Sequence, residues 1–168
     1  MEVTDRSTTI LGIDPGTAVC GWGVISVTGN RISWVAHGCW KTSPKDARAH
    51  RLAQLVAGFE AVVSQHQPDR VAIEEAFGGR NIQSALRLGE ARGALLVAAA
   101  GAHLPIDEFA PASVKKCVVG NGRADKAQVQ FMIQRLLNMK TPPTPLDASD
   151  ALAIGFTLAS RMPSSYSR

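Results

Sequence analysis

The sequence predicts one α/β domain built on a five-stranded mixed sheet. Residues 9–41 hold three extended segments in succession, and further extended segments then alternate with segments of helical apolar periodicity. The chain length of 168 residues suits one domain, which buries roughly 70% of its unfolded surface. A meander followed by alternating strands and helices is typical of a mixed sheet.

The predicted strands are short apolar or alternating runs next to turn signals. The turn Asp14-Pro15-Gly16 follows the first run, and Gly29-Asn30 joins the second to the third, so the first three strands are predicted to be antiparallel. The predicted strands cover residues 9–14, 21–27, 32–41, 70–74 and 104–109.

The predicted helices carry apolar residues at the helical period. Pro68 ends the first helix, and a connector of three prolines over residues 141–145 leads into the last. Gly89 and Gly93 lie four residues apart on one face, which predicts a close contact with another backbone. The predicted helices cover residues 45–67, 81–101, 112–119, 124–138 and 146–160.

Composition restricts the class of protein. Apolar residues make up 45% and charged residues 19%, and no apolar run reaches the length of a membrane span. The first seven residues are polar and show no export signal, and three cysteines without close spacing suit a reducing compartment, so we expect a cytoplasmic protein. We expect a flexible extension over residues 1–8, the domain over 9–160 and a disordered tail over 161–168.

The net charge of +4 is concentrated in the middle of the chain. From Arg80 to Lys126 there are seven basic residues against four acidic ones. Such a segment suits a polyanionic partner, although many basic proteins bind none.

Four acidic residues stand at the ends of apolar segments: Asp14, Glu74, Asp147 and Asp150. Clustered carboxylates repel one another unless cations neutralise them, and Mg²⁺ or Mn²⁺ favours oxygen ligands. Asp147 and Asp150 are three apart on a predicted helix and therefore share a face. Taken singly, each acid also suits a structural role in a turn or in the first turn of a helix. An acidic side chain in a first helical turn stabilises the helix by ~0.3 to 1 kcal/mol. Together they predict a metal site for phosphodiester chemistry.

Several motifs occur in the order found in one nuclease family. They are Ile10-Leu-Gly-Ile-Asp-Pro-Gly16, Ala72-Ile-Glu-Glu-Ala-Phe77, Ser84-Ala-Leu-Arg-Leu-Gly89, Val114-Lys-Lys-Cys-Val-Val-Gly120 and Asp147-Ala-Ser-Asp-Ala-Leu-Ala153. Over residues 9–160 the chain resembles the RuvC family of Holliday-junction resolvases. The resemblance implies an RNase H-like fold with helices on both sheet faces, a homodimer, and two Mg²⁺ ions per active site, with Mn²⁺ as a substitute. It also implies four-way junction DNA as substrate and a branch-migration helicase complex of the RuvA and RuvB type as partner.

The resemblance also assigns residues to roles. Asp14, Glu74, Asp147 and Asp150 match the catalytic metal ligands of the family. Lys115 and Lys126 match lysines near the scissile strand, with Lys116 a weaker candidate, and Phe77 matches an aromatic residue thought to act at the crossover. Arg80 and Asn81 are further candidates for contact with the DNA backbone. The alternatives are solvated lysines and a Phe77 ring that anchors its own loop.

The resemblance implies that the function is resolution of Holliday junctions by paired symmetric nicks in recombination and repair. Two-metal hydrolysis would leave 5′-phosphate and 3′-hydroxyl ends. Three alternatives stay open: a nuclease of the same fold acting on RNA precursors, an inert junction-binding module, and a phosphotransferase or ATPase. The last is suggested by Ile13-Asp-Pro-Gly-Thr17, but it needs a second lobe for which the chain lacks room.

Overall fold

The computed structural model describes residues 7–75 and 81–163, and its five strands form one sheet. The strands are β1 (Thr8–Asp14), β2 (Val19–Thr28), β3 (Arg31–Lys41), β4 (Arg70–Glu74) and β5 (Ile106–Phe109). The helices are α1 (Arg48–His66), α2 (Ile82–Gly101), α3 (Pro111–Val119), α4 (Lys126–Leu136) and α5 (Leu146–Arg161).

The sheet is mixed, as predicted. Its strand order is β3-β2-β1-β4-β5, with β1, β2 and β3 antiparallel and with β4 parallel to both β1 and β5. The parallel pairs require crossover connections, which α1 and α2 supply. β1 therefore lies at the centre of the sheet, and its carboxyl end lies beside that of β4.

Helices cover both faces, which separates the core into two parts. One face packs against α3, α4 and α5, with Ile10 and Ala72 among its buried sheet residues. The other packs against α1 and α2, with Leu11 and Ile73 among its buried sheet residues. The alternation along β1 and β4 follows from the two-residue repeat of a strand. It also decides that Asp14 and Glu74 project on the side of α5, in step with Ile10 and Ala72.

α5 lies unusually close to the sheet because two strand residues lack side chains. A Cβ on Gly12 would overlap the carbonyl oxygen of Ala151, and one on Gly21 would overlap that of Asp147. These glycines let the backbone of α5 rest directly on β1 and β2. Because α3 and α4 cover its outer side, α5 is buried over most of its surface.

The predicted element boundaries needed small corrections. α1 begins at Arg48 instead of residue 45, and β5 begins at Ile106 instead of residue 104. α4 begins at Lys126 because Asp125 forms its N-cap, with a capping box to Gln128. α1 ends just before Pro68, as predicted.

The predicted close contact at Gly89 and Gly93 is not made by the described part of this chain. A Cβ on either glycine would meet nothing within 4 Å. Both lie on the side of α2 that points away from the sheet, since Ala91, Leu95 and Ala99 form its buried side. The four-residue spacing of the two glycines indicates a helix side that lacks side chains there, but it does not identify what packs against that side.

Among the described residues, no helix combines the length and apolar character needed to cross a bilayer. Cys20, Cys39 and Cys117 are free thiols, as expected from their spacing.

Candidate active site

Asp14 and Glu74 lie side by side at one end of the sheet. β1 and β4 are parallel neighbours, and the register pairs Ile13 with Ile73, so the residue that follows each occupies the same edge. Asp14 also pairs with Gly21 on β2, where the missing side chain leaves room for α5. Two carboxylates thus meet because two adjacent strands end together.

The other two acids come from the first turns of α5. Asp147 and Asp150 are three residues apart on the helix, as the sequence predicted. The glycine contacts place this end of α5 over β1 and β2. Asp150 lines the same cavity as Asp14 and Glu74, whereas Asp147 lies at its margin, with 37% of its side chain exposed. The structure therefore brings all four predicted acids to one region.

The cavity between these acids has a volume of about 210 Å³ and also contains two lysines. Lys115 of α3 and Lys126 of α4 line it. The Nζ atom of Lys126 lies 2.6 Å from Oδ2 of Asp150 and 4.0 Å from Oδ1 of Asp147. The cavity thus combines a cluster of carboxylates with two ammonium groups.

Burial and mutual repulsion raise the pKa values of three of the four acids. Burial, and then the charges of Glu74 and Asp150, raise the pKa of Asp14 well above its usual range. Burial followed by the charge of Asp150 raises the pKa of Glu74 to about 7, against the opposing effect of Lys126 and Lys115. Burial also raises the pKa of Asp150, although its hydrogen bond from Lys126 acts in the opposite direction. Without a cation, the cluster favours proton uptake.

The donor set suits a hard divalent cation in chemistry and charge, since all four candidates are carboxylates at the margin or wall of one cavity. Among the described residues, however, no three His, Cys, Asp or Glu side chains converge closely enough to hold a metal ion as they stand. Side-chain rotation would be needed to bring three oxygens around one ion. Asp14, Glu74 and Asp150 are the residues that would hold it, with Asp147 completing the set.

The predicted DNA-contact residues fall into three groups. Lys115 and Lys126 line the cavity, and Lys116 is exposed at the end of α3. Asn81 is the N-cap of α2, and its side-chain oxygen accepts a hydrogen bond of 2.8 Å from the Ser84 amide. Phe77 and Arg80 lie outside the described residues.

Sequence reasoning missed Arg92, which ties α2 to the strand that carries Glu74. Its Nε donates to the backbone oxygen of Glu74 at 2.9 Å, and its Nη2 pairs with Glu108 on β5. Only 16% of its side chain is exposed. The signal in the sequence was an arginine within an apolar stretch of a predicted helix. Because buried charged side chains are almost always paired, such an arginine predicts a partner on a neighbouring element.

The sheet order, the helix that crosses its centre and the acids gathered where they meet define a protein of the RNase H-like class. The sequence profile of the family "Crossover junction endodeoxyribonuclease RuvC" matches residues 10–158. The chain therefore belongs to the RuvC family of crossover junction endodeoxyribonucleases.

Individual relatives agree with this assignment. The chain is 47% identical over 150 residues to the RuvC protein of Heliobacterium modesticaldum, covering 89% of this chain and 93% of the relative. It is 48% identical over 159 residues to that of Caulobacter vibrioides, covering 95% and 94%. The structure of Thermus thermophilus RuvC in complex with a Holliday junction substrate matches with a TM-score of 0.83 and 36% identity, covering 89% and 92%. The yeast mitochondrial Holliday junction resolvase shares the fold, with a TM-score of 0.65 at 14% identity.

Proposed function

We propose that this chain is an endonuclease that resolves four-way DNA junctions by paired, symmetric nicks. The observation that carries the proposal is the placement of Asp14, Glu74 and Asp150 around one cavity, with Asp147 at its margin, in a chain of this family. Each nick is an in-line hydrolysis that leaves a 5′-phosphate and a 3′-hydroxyl, ends that a ligase can seal. The activity serves recombination and repair and resides in residues 9–160.

The four acids act as ligands for two Mg²⁺ ions, with Mn²⁺ as a substitute. When bound, the ions activate a water molecule and neutralise charge at the leaving oxygen. The protein holds Asp14 and Glu74 on adjacent strand ends, which fixes their backbone positions before substrate arrives. Asp150 and Asp147 complete the set from a buried helix, whose position is also fixed by packing. The protein therefore contributes a rigid frame for ligands that must sit close together.

Contacts with the substrate come from basic residues of α3 and α4. Lys115, Lys116 and Lys126 bind phosphates of the cleaved strand, because an ammonium group is a compact charge suited to them. The segment that follows Glu74 supplies Phe77 at the crossover, and Arg80 and Asn81 for contact with the DNA backbone. For Asn81 the cap of α2 is a competing structural role.

The chain acts as a homodimer that pairs through α2. We define the α2 apolar face as Ile82, Leu86, Gly89, Gly93 and Val97, which follow one another at helical spacing. Ile82, Leu86 and Val97 are 80%, 63% and 74% exposed, and the two glycines leave room for a second backbone. A two-fold dimer offers two equal sites to a junction that is itself nearly two-fold. The same dimer would work in the cytoplasm beside a branch-migration helicase complex of the RuvA and RuvB type.

The test is cleavage of three labelled substrates by one preparation: a mobile four-way junction, a linear duplex of equal length and a structured RNA, each with and without Mg²⁺. We expect paired nicks in the junction alone and only with Mg²⁺. The Asp14→Asn protein should bind the junction in a gel shift but leave it intact, because the acid holds metal and not DNA.

The same experiment separates the alternatives. Preferential cleavage of RNA would indicate an RNA-processing nuclease of this fold, and junction binding without cleavage would indicate an inert binding module. Cleavage by Asp14→Asn at the wild-type rate would contradict the proposed metal site.

A further inference from the structure

Lys126 places its ammonium group against two of the four acids of the site. Its Nζ lies 2.6 Å from Oδ2 of Asp150, which is within hydrogen-bonding distance, and 4.0 Å from Oδ1 of Asp147. Its ammonium group also interacts electrostatically with Asp14 and Glu74 across the same cavity. A Mg²⁺ ion needs carboxylate oxygens at ~2.0 to 2.1 Å, so it would compete with the ammonium group for the oxygens of Asp150.

Helix stability does not explain this arrangement. Lys126 is the first residue of α4, after the Asp125 cap, and a positive charge in a first turn is unfavourable for a helix. Packing does not explain it either, because 54% of the Lys126 side chain is exposed, whereas only 19% of the Asp150 side chain is. A long side chain that could extend into solvent is instead held over the carboxylates.

We propose that Lys126 is an internal counter-ion that holds the carboxylate cluster together in the metal-free protein and competes with the divalent cation for Asp150. The inference rests on the proposed metal site. It accounts for two observations together: the cavity contains the predicted ligands, yet no three of the described His, Cys, Asp or Glu side chains converge on a metal position. Cation binding then requires the ammonium group to leave Asp150.

Lys115 provides a matched control. It lines the same cavity and acts on Glu74 and Asp150 through its charge, but within the described residues it forms no ion pair within 4.0 Å. Lys115→Gln therefore removes one positive charge near the acids without removing a direct competitor. Lys126→Gln removes both a positive charge and the ammonium group that contacts Asp150. The difference in Mn²⁺ affinity between the two variants therefore measures the competition for Asp150.

The first measurement is calorimetric titration of Mn²⁺ into metal-free wild type, Lys126→Gln and Lys115→Gln, without DNA and at one pH and ionic strength. We expect the Mn²⁺ Kd of Lys126→Gln to fall by about tenfold, and that of Lys115→Gln by less than about threefold. Unchanged or weaker binding by Lys126→Gln would overturn the proposal, as would equal tightening by both variants. If wild type and both variants failed to bind Mn²⁺, the proposed metal site would itself be wrong, and the inference with it.

A second measurement uses the unmodified protein. Acylation of lysine amines, followed by mass spectrometry, reports how far each Nζ is engaged. Mn²⁺ should increase the labelling rate of Lys126 and leave that of Lys115 nearly unchanged, because only Lys126 gives up an ion pair. Labelling of Lys126 that stays constant while Mn²⁺ binds would show that the ammonium group does not leave, and would overturn the proposal without affecting the metal site.

Discussion

At the scale of single residues, the site depends on which side of a strand each acid projects from. Glu74 and Glu75 are adjacent in the chain, but only Glu74 shares the cavity of Asp14 and Asp150. The Glu75 amide donates to the Phe109 carbonyl, and Glu75 lines a small crevice beside Glu74, together with Leu88 and Arg92 of α2. The two-residue repeat of a strand accounts for this separation.

These neighbours provide a matched pair of substitutions. Glu74→Gln should reduce the rate of junction nicking by more than about 100-fold, since even outer-shell partners of a metal contribute 10- to 100-fold. Glu75→Gln, the same chemical change one residue away, should stay within a few-fold of wild type. Nicking rates in Mg²⁺ and gel shifts without metal would measure both effects. Similar losses in the two variants would mean that general charge, and not ligation, decides the rate.

The crowding of the acids should make metal-free stability depend on pH. The pKa of Glu74 is raised from 4.5 to about 7, first by burial and then by the charge of Asp150. A carboxyl group with a higher pKa in the folded state takes up protons on folding, so its contribution to stability is lost as pH rises through that interval. We expect the Tm of metal-free wild type to fall, relative to that of Glu74→Gln, between about pH 4.5 and about pH 7.

Melting both proteins in metal-free buffers checks this sign, because groups that do not interact with Glu74 titrate alike in each protein and cancel in the comparison. A relative Tm of wild type that rises over the interval would show that Glu74 is stabilised as an anion in the folded protein.

At the scale of elements, the site depends on how closely α5 approaches the sheet. Gly12 and Gly21 admit the α5 backbone, and the same contact carries Asp147 and Asp150 to the ends of β1 and β4. Gly155 faces Gly12 from the helix side, where an added Cβ would lie 3.6 Å from the Gly12 Cα, an ordinary contact. An added side chain is therefore tolerated at Gly155 but not at Gly12, although the two residues face each other.

Gly12→Ala should displace α5 and destabilise the protein by at least the ~1 to 3 kcal/mol typical of overpacking, with weaker Mn²⁺ binding. Gly155→Ala should be neutral or slightly stabilising, because alanine favours a helix over glycine by ~1 kcal/mol. Chemical denaturation and Mn²⁺ titration of both variants measure the two effects. A Gly12→Ala protein as stable as wild type would mean that α5 can shift without penalty.

Local patterns in the sequence were sufficient to predict the five strands, the five helices and the grouping of the four acids. They could not show which elements touch. The contact of Arg92 with the Glu74 backbone exists only once α2 packs beside β4, and that of Lys126 with Asp150 only once α4 packs on α5. For the same reason the spacing of Gly89 and Gly93 could not show whether the approaching backbone belongs to this chain or to a second copy.

At the scale of the whole molecule, the two sides of α2 have different roles. One side is buried against the sheet, and Arg92 connects the helix to the backbone of Glu74. The other side is the α2 apolar face, which the described part of this chain leaves exposed. A partner bound there would therefore rest on the same helix that anchors a predicted ligand. Because the two roles belong to opposite sides of α2, a substitution on the α2 apolar face tests the pairing of two copies without changing the residues of the site.

The substitution Leu86→Glu places a charge at the centre of the α2 apolar face. Leu86 is 63% exposed, so the change should leave the fold and the metal site intact while preventing a second copy from packing there. Phe131→Glu is the control, because Phe131 is 54% exposed on α4, away from this face. We expect wild type and Phe131→Glu to have the mass of a dimer in light scattering, and Leu86→Glu that of a monomer.

On a supercoiled plasmid carrying a cruciform, the dimers should produce linear DNA from paired nicks, whereas Leu86→Glu should yield only singly nicked circles. Mn²⁺ titration of each protein would confirm that the site survives. A monomeric wild type, or a Leu86→Glu protein that remains a dimer, would contradict pairing through α2.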